Sequence, residues 1–92
     1  MRLTLIGRSY CHLCEEMQVA ITALARAHAI DLNVELIDLD AHPDLEDRFG
    51  ELIPVLLAGC GVDGEEICHH FLDVAALEAR IAQHDQPLRS GI

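Results

Sequence analysis

The 92-residue chain is long enough for one small domain with one core, and too short for a dinucleotide-binding domain joined to a catalytic one. Apolar residues make up 51% of it, which argues against intrinsic disorder, while aromatics at 3% demand an aliphatic core. Six scattered arginines, no lysine and sixteen carboxylates give a formal charge of −10, which disfavours a nucleic-acid partner.

Arg2-Leu3-Thr4-Leu5-Ile6 is a β-prone run closed by Gly7. Beyond Cys11-His12-Leu13-Cys14, the residues Leu13, Met17, Ile21, Leu24 and Ala27/His28 recur at helical spacing. Glu15 and Glu16 in the first turn, with Arg26 and His28 in the last, complement the helix dipole. Leu32 to Leu36 alternates as a half-buried strand and extends to Leu39. Asp40-Ala41-His42-Pro43 is a turn with a polar cap and a first-turn proline, and Asp44 to Phe49 a short helix stopped by Gly50.

Pro54 to Ala58 predicts a third strand opened by its proline, and Gly59-Cys60-Gly61-Val62-Asp63-Gly64 a hairpin turn. Glu65 to His69 returns as a fourth strand. Asp73 caps a last helix that buries Val74, Leu77 and Ile81. The expectation is an α/β domain over residues 1–84 in the order β-α-β-α-β-β-α, a four-stranded mixed sheet flanked by helices, with residues 85–92 a flexible tail.

No apolar run approaches the roughly 18 to 20 residues of a membrane span. Met1-Arg2 leads straight into the first strand without a signal-like apolar region, so a cytoplasmic setting without a membrane partner is expected. In a reducing compartment, closely spaced cysteines point to redox or metal chemistry rather than to a structural scaffold.

Cys11 and Cys14 are the informative pair. Two thiols three positions apart at a strand-to-helix junction lie within one helical turn, so a mixed disulfide on the first is within reach of the second. The free N–H groups and positive dipole at the helix start favour the thiolate of Cys11, and His12 adds a polar neighbour. Cys14, one turn in, is expected to be less exposed. Cys11 attacks and Cys14 resolves.

The strand-CxxC-helix opening, the order of elements and Ile53-Pro54 before the third strand resemble the thioredoxin-fold proteins, and among them the small glutaredoxin-like proteins, over about residues 2 to 83. The resemblance implies a cis Pro54 flanking Cys11 and an Ile53 backbone that pairs with a thiol substrate. It also implies an anion-steering Arg8 three residues before the first cysteine, and Asp73 as a helix-start acceptor for an amine. Its substrates would be protein or low-molecular-weight disulfides, with glutathione or a thioredoxin system as reductant and no tightly bound cofactor. The chain departs from that pattern in two places: His12-Leu13 replaces Pro-Tyr between the cysteines, and Cys68-His69-His70-Phe71-Leu72-Asp73 contains no glycine pair.

A rival constellation joins Cys11 and Cys14 to Cys68 and His70 as tetrahedral zinc ligands, or shares an iron–sulfur cluster between chains, in a non-catalytic binding module. Cys60 reads as an exposed thiol in the turn, Cys68 as packing, and a bridge between them is a further option. His28, His42 and His84 read as solvated, and Asp38-Asp40 with Asp44-Glu46-Asp47 as a solvated acidic face.

Overall fold

The computed structural model describes residues 1–84; the expected tail at 85–92 lies outside the described residues. The elements are β1 (Arg2–Gly7), α1 (His12–Ala27), β2 (Asn33–Asp38), two short 3₁₀ turns (Leu39–Ala41 and Pro43–Leu45), α2 (Glu46–Phe49), β3 (Val55–Ala58), β4 (Glu66–His69) and α3 (Val74–His84). The sheet runs β2-β1-β3-β4. β1 is parallel to β2, in register from Arg2 opposite Asn33 to Gly7 opposite Asp38. β1–β3 and β3–β4 are antiparallel. The expected mixed sheet and order of elements are what the chain forms.

A strand flanked by strands on both edges and covered on both faces needs residues that can be buried on both sides, and β1 and β3 supply them, almost all apolar. Side-chain alternation sends Leu3 and Leu5 of β1 and Leu56 of β3 to one face. There they meet Met17 and Ile21 of α1, Leu77 and Ile81 of α3, and Cys68. Ile6, Val55 and Leu57 face the other way, against Leu39 and Phe49 of the connecting segment. Helices α1 and α3 therefore cover one face, and the 3₁₀ turns with α2 cover the other.

One buried polar group organises the far end of the hairpin. Thr4 is fully buried; its Oγ1 donates to the Gly59 carbonyl at 2.8 Å and accepts from the Gly61 N–H at 3.0 Å. Gly59 and Gly61 adopt φ values of +83° and +88°, a region that glycine enters without steric penalty.

Several local expectations are corrected. Leu39 belongs to a 3₁₀ turn rather than to β2, because Asp38 Oδ1 accepts from the Asp40 N–H at 2.9 Å and caps the turn. The predicted helix from Asp44 begins as the 3₁₀ turn Pro43–Leu45, capped without a side-chain bond, and is α-helical only from Glu46. Gly50 sits at φ −54°, so it does not end α2 through a left-handed cap. A Cβ there would lie 2.7 Å from the Glu46 carbonyl, so close approach is what the glycine supplies. Val74 and the Ala27/His28 end of the apolar stripe are exposed, because each lies at a helix terminus beyond the layer that covers the sheet. His28 is not simply solvated, since its Nε2 lies 3.1 Å from Glu78 of α3.

Candidate active site

The parallel and antiparallel pairings bring the C-terminal ends of β1, β2 and β4 and the N-terminal end of β3 to one end of the sheet. Cys11 and Cys14 lie there, joined as a disulfide with a Cα–Cα distance of 5.2 Å. Cys11 is the N-cap of α1: its backbone is extended, and its Sγ accepts from the Cys14 N–H at 3.2 Å. Sulfur thus takes the place that Ser or Asp oxygen usually fills at a helix start. Tyr10, just before it, is fully exposed and left-handed at φ +62°, which turns the chain from β1 into the cap. No glycine or asparagine marks that conformation in the sequence.

The two sulfurs have unlike surroundings. Cys11 is half-buried at the rim, whereas Cys14 is buried against β1. A Cβ added to Gly7 would fall 2.7 Å from Cys14 Sγ and 3.2 Å from its Cβ. Gly7 is therefore the cradle for the inner cysteine.

Pro54 follows a cis Ile53–Pro54 peptide and is fully buried. Ile6 pairs with Val55, so the antiparallel register continues to Gly7 opposite Pro54 and sets the proline one strand away from the cysteine cradle. Among the described residues, no loop or turn backbone hydrogen bond uses the Ile53 N–H or carbonyl. The loop is clamped from the other side by His70, whose N–H donates to the Pro54 carbonyl at 2.8 Å. The His70 ring Nε2 lies 2.9 Å from the Glu51 carbonyl, with the N–H tautomer donating. His70 is left-handed at φ +67°, at the centre of a turn in which the Phe71 N–H donates to the His69 carbonyl at 2.7 Å. Sequence reasoning missed this clamp; the one signal for it was the absence, before the last helix, of the glycine pair that the resemblance implies.

Arg8 is engaged by two carboxylates. Its guanidinium pairs with Asp40 at 2.8 Å and with Glu46, and these carboxylates hold its pKa above the ordinary value. Ser9 Oγ donates to Asp38 at 3.1 Å. The acidic stretch read as a solvated face is thus partly gathered around Arg8. His12 is exposed in the first turn of α1. Asp73 caps α3 through Oδ1, accepting from the Ala76 N–H at 3.1 Å.

The remaining cysteines lie elsewhere. Cys68 is buried in the α1/α3 core; burial pushes its thiol pKa up, against the opposing effect of a hydrogen bond from the Asp73 backbone. Cys60 is exposed, 3.3 Å from Arg2 Nη1, and the two are free thiols rather than a bridge. His70, the histidine of the rival zinc constellation, turns to the Glu51 carbonyl, and its neighbour His69 turns to Glu66 at 2.8 Å. Among the described residues, no three His, Cys, Asp or Glu side chains are grouped to hold a metal ion.

Comparisons with known proteins agree with this geometry. The model of the glutaredoxin-like domain (DUF836) matches residues 2–82. The solution NMR structure of protein Ne2328 from Nitrosomonas europaea is 33% identical, with a TM-score of 0.69 over 86% of this chain and 88% of that one. The X-ray structure of protein XcR50 from X. campestris is 32% identical, with a TM-score of 0.58 over 88% and 96%. Oxidized mitochondrial thioredoxin 3 from Saccharomyces cerevisiae, at 24% identity and a TM-score of 0.57 over 89% and 76%, shares the fold. No curated protein sequence matches the chain. With its four-stranded sheet, its CxxC disulfide at the mouth of α1 and a family match across nearly its whole length, the chain belongs to the glutaredoxin-like domain family of the thioredoxin fold.

Proposed function

We propose that the protein is a thiol–disulfide oxidoreductase working through Cys11 and Cys14. The observation that carries the reading is the position of Cys11 Sγ as the N-cap of α1, accepting the Cys14 N–H at the positive end of the helix. A hydrogen bond and a dipole that favour the thiolate are what a nucleophilic cysteine needs.

In the reduced protein, the Cys11 thiolate attacks one sulfur of a substrate disulfide. The S–S bond breaks, the other substrate sulfur leaves as a thiolate and takes a proton, and a mixed disulfide remains on Cys11. Cys14, deprotonated, then attacks Cys11 Sγ and expels the second substrate thiol. Substrate gains two electrons and two protons, and the dithiol becomes the Cys11–Cys14 disulfide, which a low-molecular-weight thiol such as glutathione or a thioredoxin system reduces again.

The surrounding residues have supporting roles. The Ile53 backbone, which makes no loop or turn hydrogen bond among the described residues, is available to main-chain groups of the substrate, and buried Pro54 walls the site on that flank. His12 is a solvent-facing neighbour of the nucleophile. Arg8 fixes the flanking carboxylates, and Asp73 fixes the start of α3. Tyr10 and Phe71, two of only three aromatic residues in the chain, are exposed at the dithiol end and suit contact with a polypeptide.

The test is a redox titration in glutathione buffers, with alkylation and mass mapping of all four cysteines. A reversible Cys11–Cys14 couple between about −270 and −120 mV is expected. Cys11→Ser is expected to lower disulfide reductase activity at least about a hundredfold. Full activity in that variant, or no reversible couple, overturns the reading.

A further inference from the structure

On the side of the dithiol away from Pro54, a cleft of about 220 Å³ opens between α1 and β2. Its floor is Leu5 and Leu36, and its inner end is Cys14; Ile37 borders it through its backbone, its side chain packing with Ile6 on the opposite face. Strand β2 is an edge of the sheet. Leu36 was expected to be half-buried with Leu32 and Val34, yet it is 57% exposed because α1 does not close over this end of the strand. An apolar floor is therefore left open beside the reactive disulfide.

The rim of this cleft is acidic. Glu15 and Asp38 line it. Arg8 lines it too, but its charge is matched by Asp40 and outweighed once Glu46 is added. Glu15 and Asp38 on the cleft, with Asp40 and Glu46 on Arg8, thus set four carboxylates against one guanidinium, in a chain that carries −10 overall. An acidic field of this kind draws cationic partners and slows anionic ones, glutathione among them. A lysine or arginine side chain fits both features: its methylene stem covers apolar surface while its charged head reaches carboxylates at the edge.

We propose that the α1/β2 cleft is a docking groove for a basic side chain of the substrate polypeptide, placed close to the disulfide that is exchanged. The preferred substrates are then disulfides in cationic polypeptide segments. This inference rests on the oxidoreductase reading for its link to turnover, but the groove itself is tested without turnover.

The probes are two synthetic peptides with the same disulfide loop, flanked by lysines in one and by glutamates in the other, together with their cysteine-to-serine forms. In NMR titrations, the lysine peptide lacking cysteines is expected to shift the amides of Leu36 and Ile37, and to lose that effect in high salt. The glutamate peptide is expected to leave them in place. In turnover assays at low salt, the lysine disulfide is expected to be favoured roughly tenfold in kcat/KM. Leu36→Ser and, separately, Glu15→Gln should pull that ratio toward one.

Equal shifts with both peptides, or none, overturn the groove. So does reduction of both disulfides at the same rate. Shifts at Leu36 with the lysine peptide but no reduction of either disulfide would keep the groove and overturn the oxidoreductase reading.

Discussion

Two cysteines stand three residues apart at the mouth of α1, and two more lie in or beside the β3–β4 hairpin; the fold treats the pairs in opposite ways. Cys11 and Cys14 are brought together by one helical turn, one at the rim and one against Gly7. Cys60 and Cys68 are separated by the sheet's own geometry, one in the solvent-facing turn and one in the core. The same side chain is a helix cap and proposed nucleophile in one place, packing in another and a surface thiol in a third. Chemistry follows from the backbone donors and water that each sulfur meets, not from residue type.

Alkylation of the native, reduced protein gives the widest separation between these environments. Cys60 should react as an open thiol, while Cys68 should be at least about a hundredfold slower, since its reaction needs the α1/α3 core to open. Comparable rates would show that the core around Cys68 opens freely.

Gly7→Ala sharpens the contrast inside the disulfide-bonded pair. Both the sulfur and the Cβ of Cys14 occupy the space the new methyl needs, so rotation of Cys14 alone does not relieve the overlap. A loss of about 1–3 kcal/mol in denaturant unfolding is expected, larger for the oxidised than for the reduced protein. Equal losses in the two states would mean that the cradle does not depend on the disulfide.

Asp73→Ala removes the side-chain cap of α3 and should cost about 1 kcal/mol, read in the same unfolding experiment. A smaller effect is expected from pH. The Cys68 thiol is raised in the folded protein, so the native state holds its proton to higher pH than the unfolded chain does. Its stabilising contribution is full below the ordinary thiol pKa of 9.0 and is lost as pH rises through and beyond it. Melting temperatures measured from pH 7 to 10 should fall more steeply in the parent than in Cys68→Ala. Parallel slopes would assign the alkaline loss to other groups.

The dithiol was legible because it is local. A strand, a turn and a helix with two cysteines at its start specify their own geometry over a few residues, and β1 and β3 were legible as strands from short β-prone runs bounded by Gly7 and by Pro54. Leu36 was misread for the opposite reason. Its alternation with Leu32 and Val34 is real, but whether a helix covers that position is set by how α1 lies across the sheet. Val74 and Gly50 were misjudged similarly: helix periodicity gives a face, and a glycine gives a permissive backbone, without stating what approaches them.

The sequence by itself determined the order of elements, the place of the Cys11–Cys14 pair at the start of α1 and the cap at Asp73, because each depends on hydrogen bonds and spacings within a turn or two of chain. Only the tertiary structure decided what surrounds that pair. The carboxylates of Asp40 and Glu46 meet Arg8 across more than thirty residues of chain, and His70 holds the Glu51–Pro54 loop from the far side of a hairpin. Gly7 and Cys14 touch because a helix packs on a strand. Such contacts are fixed when the layers close on one another, since electrostatic pairing and packing act through space and carry no periodic mark in the chain.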